Sequence, residues 1–116
     1  MRAIRSWGHA KGDRLCHNDY HPRNILFDGK GYTVIGWNSA TKGDPAGDVA
    51  RSYAVTLMSD KHLADGYLKR YLDRSGMHPT RVERWLPLHA IELYGILKDD
   101  VQPYKDVLKP LLSVLA

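Results

Sequence analysis

The chain has 116 residues, 43% hydrophobic and 26% charged, which is enough for one soluble globular domain with one modest core. Its formal charge of +4 includes no block of lysine or arginine, so we expect no nucleic-acid partner, and no apolar run is long enough to span a membrane. The single cysteine, Cys16, excludes an intrachain disulfide, and no signal-peptide pattern is present, so we expect a cytoplasmic protein.

The first elements lead into an unusual loop. Residues 1–14 form a mixed entry segment with Gly8 and Gly12, for which we predict a loop or a frayed helix. The apolar pair Leu15-Cys16 is too short to form more than a single β-bridge. An H-x-D-x-x-x-x-N run then extends from His17 to Asn24, and Pro22 within it breaks any regular element.

A β-hairpin is predicted from Asn24 to Trp37. The apolar run Ile25-Leu26-Phe27 is followed by the turn signal D-G-K-G, and the return segment is β-branched and aromatic. An isolated two-stranded hairpin is not stable, so the following helices must cover it.

Residues 38–43 are predicted to form a loop, and about four helices follow it. Helical spacing and capping residues indicate each of them. In chain order they run from Pro45 to about Met58 after an Asp44 cap, from a Ser59 or Asp60 cap to Gly76, from a Thr80–Glu83 capping box to about Leu97, and onward from Asp100 or Gln102. We expect Pro110 to kink or divide the last helix.

The H-x-D-x-x-x-x-N run has the spacing of a kinase catalytic loop. Phosphoryl transfer needs a carboxylate near the acceptor hydroxyl, which Asp19 could supply, and oxygen ligands for Mg²⁺, of which Asn24 could supply one. His17 would support the loop by hydrogen bonding. Asp and Asn are also common in turns for purely structural reasons, because their side chains bond nearby backbone.

Another interpretation of the same residues is a metal-dependent hydrolase. His17, Asp19 and His21 read H-x-D-x-H, a pattern that could hold a transition metal. The proline after His21 suits a turn better than a metal-binding face. Cys16 could be a nucleophile beside His17, although a lone cysteine in a short strand is more often a small buried apolar residue.

Over residues 15–50 the chain resembles the aminoglycoside phosphotransferase and choline kinase group of kinase-like enzymes. The segment from Leu15 to Leu26 is similar to the catalytic loop of that group, and Gly43-Asp44-Pro45 with Asp48 is similar to its G-D-P-x-x-D element. The resemblance implies Asp19 as catalytic base, Asn24 as a metal ligand, and His17 and Asp48 as loop-supporting residues. It also implies ATP and Mg²⁺ as cofactors and a small-molecule hydroxyl as acceptor.

The chain departs from that group at position 36, where the resemblance implies a metal-binding aspartate in an I-D-W strand. Gly36 carries no ligand atom. Asp28 is expected at the far end of the hairpin, too far away to substitute. Asp44 is the better candidate for a replacement ligand, although it is expected to cap a helix. The nucleotide-binding lobe of the group would lie before the catalytic loop, and no nucleotide-binding residue is identified here.

We therefore expect an α+β, mostly α fold: the carboxyl-terminal lobe portion of a protein-kinase-like enzyme with a catalytic loop, one hairpin and about four helices. One domain would cover residues 1–116, with an entry segment 1–14, a catalytic-loop and hairpin region 15–50, and a helical subdomain 51–116. Phosphoryl transfer would be weak or absent in this chain alone. The alternative is a non-catalytic module that forms a homo-oligomer or pairs with a separate amino-terminal lobe, and the metal hydrolase is third.

Overall fold

The computed structural model describes residues 13–115, so most of the entry segment, with Gly8 and Gly12, lies outside the described residues. Helices dominate, and the strands form two small antiparallel sheets, which confirms the α+β, mostly α class. The strands are β1 Arg14–Cys16, β2 Ile25–Phe27, β3 Tyr32–Val34 and β4 Thr41–Gly43. The α-helices are α1 Pro45–Ser59, α2 Lys61–Ser75, α3 Pro79–Glu83, α4 Leu86–Leu97 and α5 Lys105–Leu108. Short 3₁₀ helices cover Pro22–Asn24, Trp37–Ser39, Lys98–Tyr104 and Lys109–Leu115.

The predicted hairpin is confirmed as the pair β2–β3, in which Ile25 lies opposite Val34. At its turn, Oδ1 of Asp28 accepts hydrogen bonds from the backbone N–H groups of Lys30 and Gly31. These bonds hold the pKa of the Asp28 carboxyl below its usual value. At the other end, the Ile35 N–H donates to the Asn24 carbonyl at 2.8 Å. The ladder thereby continues to the residue just before Gly36.

The first strand pair was not predicted. Residues 38–43 were predicted as a loop and Leu15-Cys16 as a single bridge, and both predictions are wrong, because β1 pairs with β4 over three residues from Arg14–Gly43 to Cys16–Thr41. The two strands lie far apart in the chain, so no local pattern signals their pairing. The pair fixes the point at which His17 enters the loop.

Helix α1 forms the centre of the helical subdomain and was predicted correctly. Asp44 caps it by accepting from the Ala46 N–H at 3.0 Å, and Pro45 occupies its first position. Its buried face is lined by small side chains, which allow neighbouring helices to approach closely: Ala46, Ala50 and Ala54. At Gly47 a Cβ would lie 3.1 Å from the Trp85 ring, so this glycine permits a close contact with the segment before α4.

Helix α2 also has the predicted ends. Asp60, rather than Ser59, is its cap and accepts from the Leu63 N–H at 3.0 Å. Gly76 closes it with φ of 70°, a left-handed conformation that glycine adopts without strain. The helix packs on α1 through Ala64.

The predicted third helix is divided into α3 and α4. Thr80 was predicted to cap it, but His78 is the cap, and its Nδ1 accepts from the Thr80 N–H at 3.2 Å. The interruption at residues 84–85 is explained by Pro87, which lacks the N–H that would have bonded to the Glu83 carbonyl.

The last predicted helix is mostly 3₁₀. Only Lys105–Leu108 is α-helical. Pro110 lies two residues after its end, in the 3₁₀ helix Lys109–Leu115, so the expected division at this proline is confirmed. Val101, Leu108 and Leu111 are buried against the core. Within residues 13–115 no helix has the length and apolar character that a membrane crossing requires.

Candidate active site

The catalytic-loop segment, residues 17–24, is anchored to the first turn of α1 by Asp48. Its Oδ2 accepts from the His17 N–H at 2.9 Å, and its Oδ1 accepts from the Asn18 N–H at 2.8 Å. Asn18 has φ of 68°, which costs energy for a non-glycine residue but is tolerated best by Asn and Asp. The Asn18 side chain offsets this cost by donating to the Ser39 carbonyl and to Oγ1 of Thr41, both at 2.8 Å.

His17 supports the loop from beneath, and only 4% of it is exposed. Its Nδ1 accepts from the Asp19 N–H at 3.0 Å, and its Nε2 lies 2.7 Å from the Ile35 carbonyl. This pair of contacts requires the neutral tautomer with the proton on Nε2. The Trp37 ring packs on the imidazole with centroids 4.4 Å apart. His17 therefore couples the loop to the end of the hairpin.

Asp19 lies at the open side of the loop, where 38% of its side chain is exposed. Its Oδ1 lies 3.1 Å from both Nη1 of Arg51 and Nε2 of His21. Its Oδ2 accepts from Nδ2 of Asn24 at 3.1 Å. The carboxylate is thus held in one orientation by hydrogen bonds from Arg51 and Asn24, with His21 beside it, and remains accessible to a ligand.

Asn24 and Gly36 meet at the base of the hairpin. Nδ2 of Asn24 donates to the Asp19 carbonyl at 2.8 Å as well as to the Asp19 carboxylate. Gly36 follows Ile35, the residue paired with Asn24, and adopts a left-handed conformation with φ of 76° and ψ of 40°. The position at which the resemblance implies an aspartate therefore lies directly beside the amide of Asn24.

Arg51 is a site residue that the sequence analysis missed. Its side chain is 18% exposed and bridges Asp19 to Glu92, with Nε of Arg51 3.0 Å from Oε1 of Glu92. The available signal was its place in α1, three residues after Asp48, because residues three apart lie on the same helix face. Glu92 is on α4, so only the tertiary structure brings it to the site.

The two other acids of the region are used elsewhere. Oδ1 of Asp44 accepts from Nη2 of Arg81 at 2.8 Å in addition to capping α1, and its Oδ2 accepts from Nε1 of Trp85 at 3.3 Å. Asp28 lies in the hairpin turn. Asp44, the better candidate for a ligand in place of an acid at position 36, therefore has both carboxylate oxygens engaged away from the loop.

The donor set near Asp19 does not fit Mg²⁺ as the chain stands. This ion requires several oxygen ligands in near-octahedral geometry, with carboxylates prominent among them. The Asp19 carboxylate already accepts from a guanidinium and an amide, Asn24 turns its NH₂ group toward the acid, and Gly36 contributes no side-chain ligand. A cation at this point would have to displace the positively charged side chain of Arg51.

The hydrolase interpretation of His17, Asp19 and His21 is not supported. Both ring nitrogens of His17 are engaged by backbone groups, so this side chain cannot ligate a metal without breaking the loop. Across residues 13–115 no group of three His, Cys, Asp or Glu side chains is arranged to hold a metal ion.

Cys16 is a structural residue. Its side chain is almost fully buried at the end of β1. Burial, together with the nearby charges of Asp48 and Asp44, raises the pKa of the thiol above its usual value. A nucleophilic cysteine needs the opposite shift, so the structure favours the apolar interpretation.

A cavity of about 220 Å³ lies beside the loop, between the start of the hairpin and helices α1 and α2. Its wall is mostly apolar, and His21, which contacts the Asp19 carboxylate, forms part of it. Ser52 and Thr56 on α1 also line it, and the Ser52 hydroxyl donates to the Asp48 carbonyl. The cavity is therefore large enough for part of a small organic molecule next to the candidate base.

Comparison with known proteins gives one match. The sequence model of the phosphotransferase enzyme family matches residues 3–84, which is more than half of the chain. The matched region includes the loop that carries Asp19 and the helix that carries Asp48. Neither the curated proteins nor the solved structures include a significant match.

Proposed function

The chain belongs to the phosphotransferase enzyme family, and we propose that its catalytic loop is built for ATP-dependent phosphoryl transfer to a hydroxyl of a small molecule, with Asp19 as the base. The observation that carries this proposal is the anchoring of the loop. Asp48 holds the backbone at His17, and the two donors Arg51 and Asn24 fix the carboxylate of Asp19 while leaving it accessible.

In this proposal Asp19 would accept the proton of the acceptor hydroxyl while the hydroxyl oxygen bonds to the terminal phosphorus of ATP, and the bond from that phosphorus to the departing ADP would break. Such a base contributes by position more than by covalent chemistry, so the rigidity of the loop is the relevant property. Arg51 and Asn24 keep the two carboxylate oxygens at defined places. The cavity of about 220 Å³, whose wall includes His21, offers a concave surface for the acceptor.

We propose further that the chain as it stands has little or no turnover. The family generally uses ATP with Mg²⁺, and a metal supplies charge stabilisation for the transferring phosphoryl group that is worth several kcal/mol. Gly36 contributes no ligand, and the Asp19 carboxylate is already paired with Arg51. The catalytic loop therefore has its supporting contacts, but the neighbouring site lacks a side-chain ligand at position 36 for a metal ion.

The test is ATP turnover with a panel of hydroxyl acceptors, measured for the unmodified chain and for Gly36→Asp. Asp19→Asn in each background is the control, because it preserves the shape of the side chain and removes the base. We expect no Asp19-dependent turnover by the unmodified chain and measurable Asp19-dependent turnover by Gly36→Asp. Turnover that survives Asp19→Asn in both backgrounds would remove Asp19 from the proposed role.

A second candidate, a non-catalytic module that associates with another copy of this chain or with an amino-terminal lobe, is favoured by the exposed hairpin. Phe27 and Tyr32 pack on each other with ring centroids 4.8 Å apart, yet are 61% and 75% exposed. Leu26 on the same hairpin is also exposed. Adjacent exposed apolar side chains mark an interaction surface more often than chance.

Sedimentation velocity across a range of concentrations tests this candidate. We expect the unmodified chain to associate and the double variant Phe27→Ser with Tyr32→Ser to remain monomeric. Ile91→Ser is the matched control, because Ile91 is also an exposed apolar residue but lies on α4, away from the hairpin. A monomer at all concentrations would exclude self-association.

A further inference from the structure

Asn24 and position 36 compete for one space. A Cβ at position 36 would lie 2.6 Å from each of three Asn24 atoms, namely Cγ, Nδ2 and Oδ1. Contacts below 3.0 Å essentially never occur for a real Cβ. Because the three distances are equal, the Cβ would stand over the flat face of the amide. The present position of the Asn24 amide is therefore available only while residue 36 is glycine.

In this position the amide acts as a donor toward Asp19. Nδ2 of Asn24 donates to the carbonyl of Asp19 at 2.8 Å and to its Oδ2 atom at 3.1 Å, and Nε2 of His21 lies 3.5 Å from it. The oxygen of the same amide, Oδ1, has no hydrogen-bond donor among residues 13–113. The NH₂ group is thus committed to the acid, and the amide lies flat over Gly36.

The second oxygen of the acid is occupied from the other side. Oδ1 of Asp19 contacts Arg51 and His21, each at 3.1 Å. Arg51 is held in turn by Glu92. Both carboxylate oxygens therefore face donors, and the Asn24 amide is the donor whose place depends on residue 36.

We propose that Gly36 is a positioning residue, which allows the Asn24 amide to lie over its Cα and thereby to fix the Oδ2 atom of Asp19. A side chain at position 36 would rotate Asn24 away and break its two bonds to Asp19, while Arg51 would still hold the Oδ1 atom. The inference deepens the proposed function, since it concerns the same Asp19 site, but its test requires no turnover.

The direct test is the side-chain amide signal of Asn24 in ¹⁵N–¹H spectra of the unmodified chain and of Gly36→Ala. We expect the two NH₂ signals to move and their hydrogens to exchange faster with water in Gly36→Ala, because both acceptors are lost. Gly29→Ala is the matched control: Gly29 also has positive φ, 91°, but a Cβ there would meet nothing within 4 Å. We expect the control to leave the Asn24 signals in place.

Chemical denaturation gives a second test that does not depend on signal assignment. Gly36→Ala should lower the unfolding midpoint more than Gly29→Ala. Both variants have strain from positive φ, but only Gly36→Ala also displaces Asn24. In an Asn24→Ala background the excess should disappear, because the competing amide is gone. Unchanged Asn24 signals in Gly36→Ala, or an excess that persists in the Asn24→Ala background, would overturn the inference. Turnover that survives Asp19→Asn in both backgrounds would instead overturn the proposed role of Asp19 as base and leave this result standing.

Discussion

Nη1 of Arg51 lies 3.1 Å from Oδ1 of Asp19, and this contact joins the first long helix to the candidate base. The guanidinium is largely buried and also contacts Glu92, so it links three separate parts of the chain. A cation in this place orients the carboxylate and occupies the side from which another cation would approach.

Arg51→Met should destabilise the fold by about 1 kcal/mol, because it leaves Asp19 and Glu92 without their shared partner in a partly shielded site. Urea unfolding monitored by circular dichroism measures this change. Lys69→Met is the control, since the Lys69–Asp73 pair is solvent-exposed on α2 and should contribute less. Equal effects of the two substitutions would show that the Arg51 pair is an ordinary surface contact.

Asp48→Asn should destabilise the chain by about 2 kcal/mol, because hydrogen bonds from backbone N–H groups to a charged acceptor are among the stronger ones. An amide at this position cannot accept from His17 and Asn18 with both of its terminal atoms. The same unfolding experiment measures the loss. Asp106→Asn, at an exposed acid of α5, should change the midpoint far less, and a comparable loss there would argue against a special role for Asp48.

Stability should fall below about pH 6.5 because of His89. Burial lowers the pKa of His89 from its usual 6.5, against a smaller opposing effect of Glu92 and a small further lowering by Arg51. The unfolded chain therefore binds a proton before the folded one does. The stability that depends on neutral His89 is fully present above its pKa in the unfolded chain. It is lost as the pH falls from that pKa to the lower pKa of His89 in the folded chain.

His89→Gln should reduce this dependence, because glutamine does not titrate. Its amide can still donate to the Gly47 carbonyl, which Nε2 of His89 contacts at 2.9 Å. Unfolding midpoints measured on both sides of pH 6.5 provide the comparison. His62→Gln, at an exposed position on α2, is the control and should retain the dependence of the unmodified chain. An unchanged slope in His89→Gln would exclude His89 as its source.

Cys16 should react slowly with a thiol reagent such as DTNB while the chain is folded. Burial and the charges of Asp48 and Asp44 raise the pKa of its thiol, so the reactive thiolate is scarce and shielded. Because Cys16 is the only cysteine, the reaction has a single end point. We expect the native chain to react at least tenfold more slowly than the chain in urea. Equal rates would contradict a buried Cys16.

Local signals in the sequence predicted much of the fold. The Asp44 and Asp60 caps, the Gly76 stop and the D-G-K-G turn each act over a few residues, and the hairpin and first two long helices follow them. The division at residues 84–85 was missed because the apolar spacing continues across it. Its cause is the missing N–H of Pro87, which is a local feature of the sequence.

The pairing of β1 with β4 and the contact of Arg51 with Glu92 depend on tertiary structure, and no local period encodes them. For the site, the motif predicted His17, Asp19 and Asn24, and the family resemblance implied Asp48; the structure brings these four residues together. The orientation of Asn24 could not be predicted, because it depends on the space left by Gly36 across the hairpin.

The central claim is that the loop is built while Gly36 leaves it without an ion site. The most direct test is a titration with Mn²⁺, which replaces Mg²⁺ and whose binding is followed by water-proton relaxation. It compares the unmodified chain, Gly36→Asp and Asp19→Asn. We predict weak Mn²⁺ binding by the unmodified chain that Asp19→Asn does not change, and at least tenfold tighter binding by Gly36→Asp. Binding by the unmodified chain as tight as that of Gly36→Asp, and abolished by Asp19→Asn, would contradict the account.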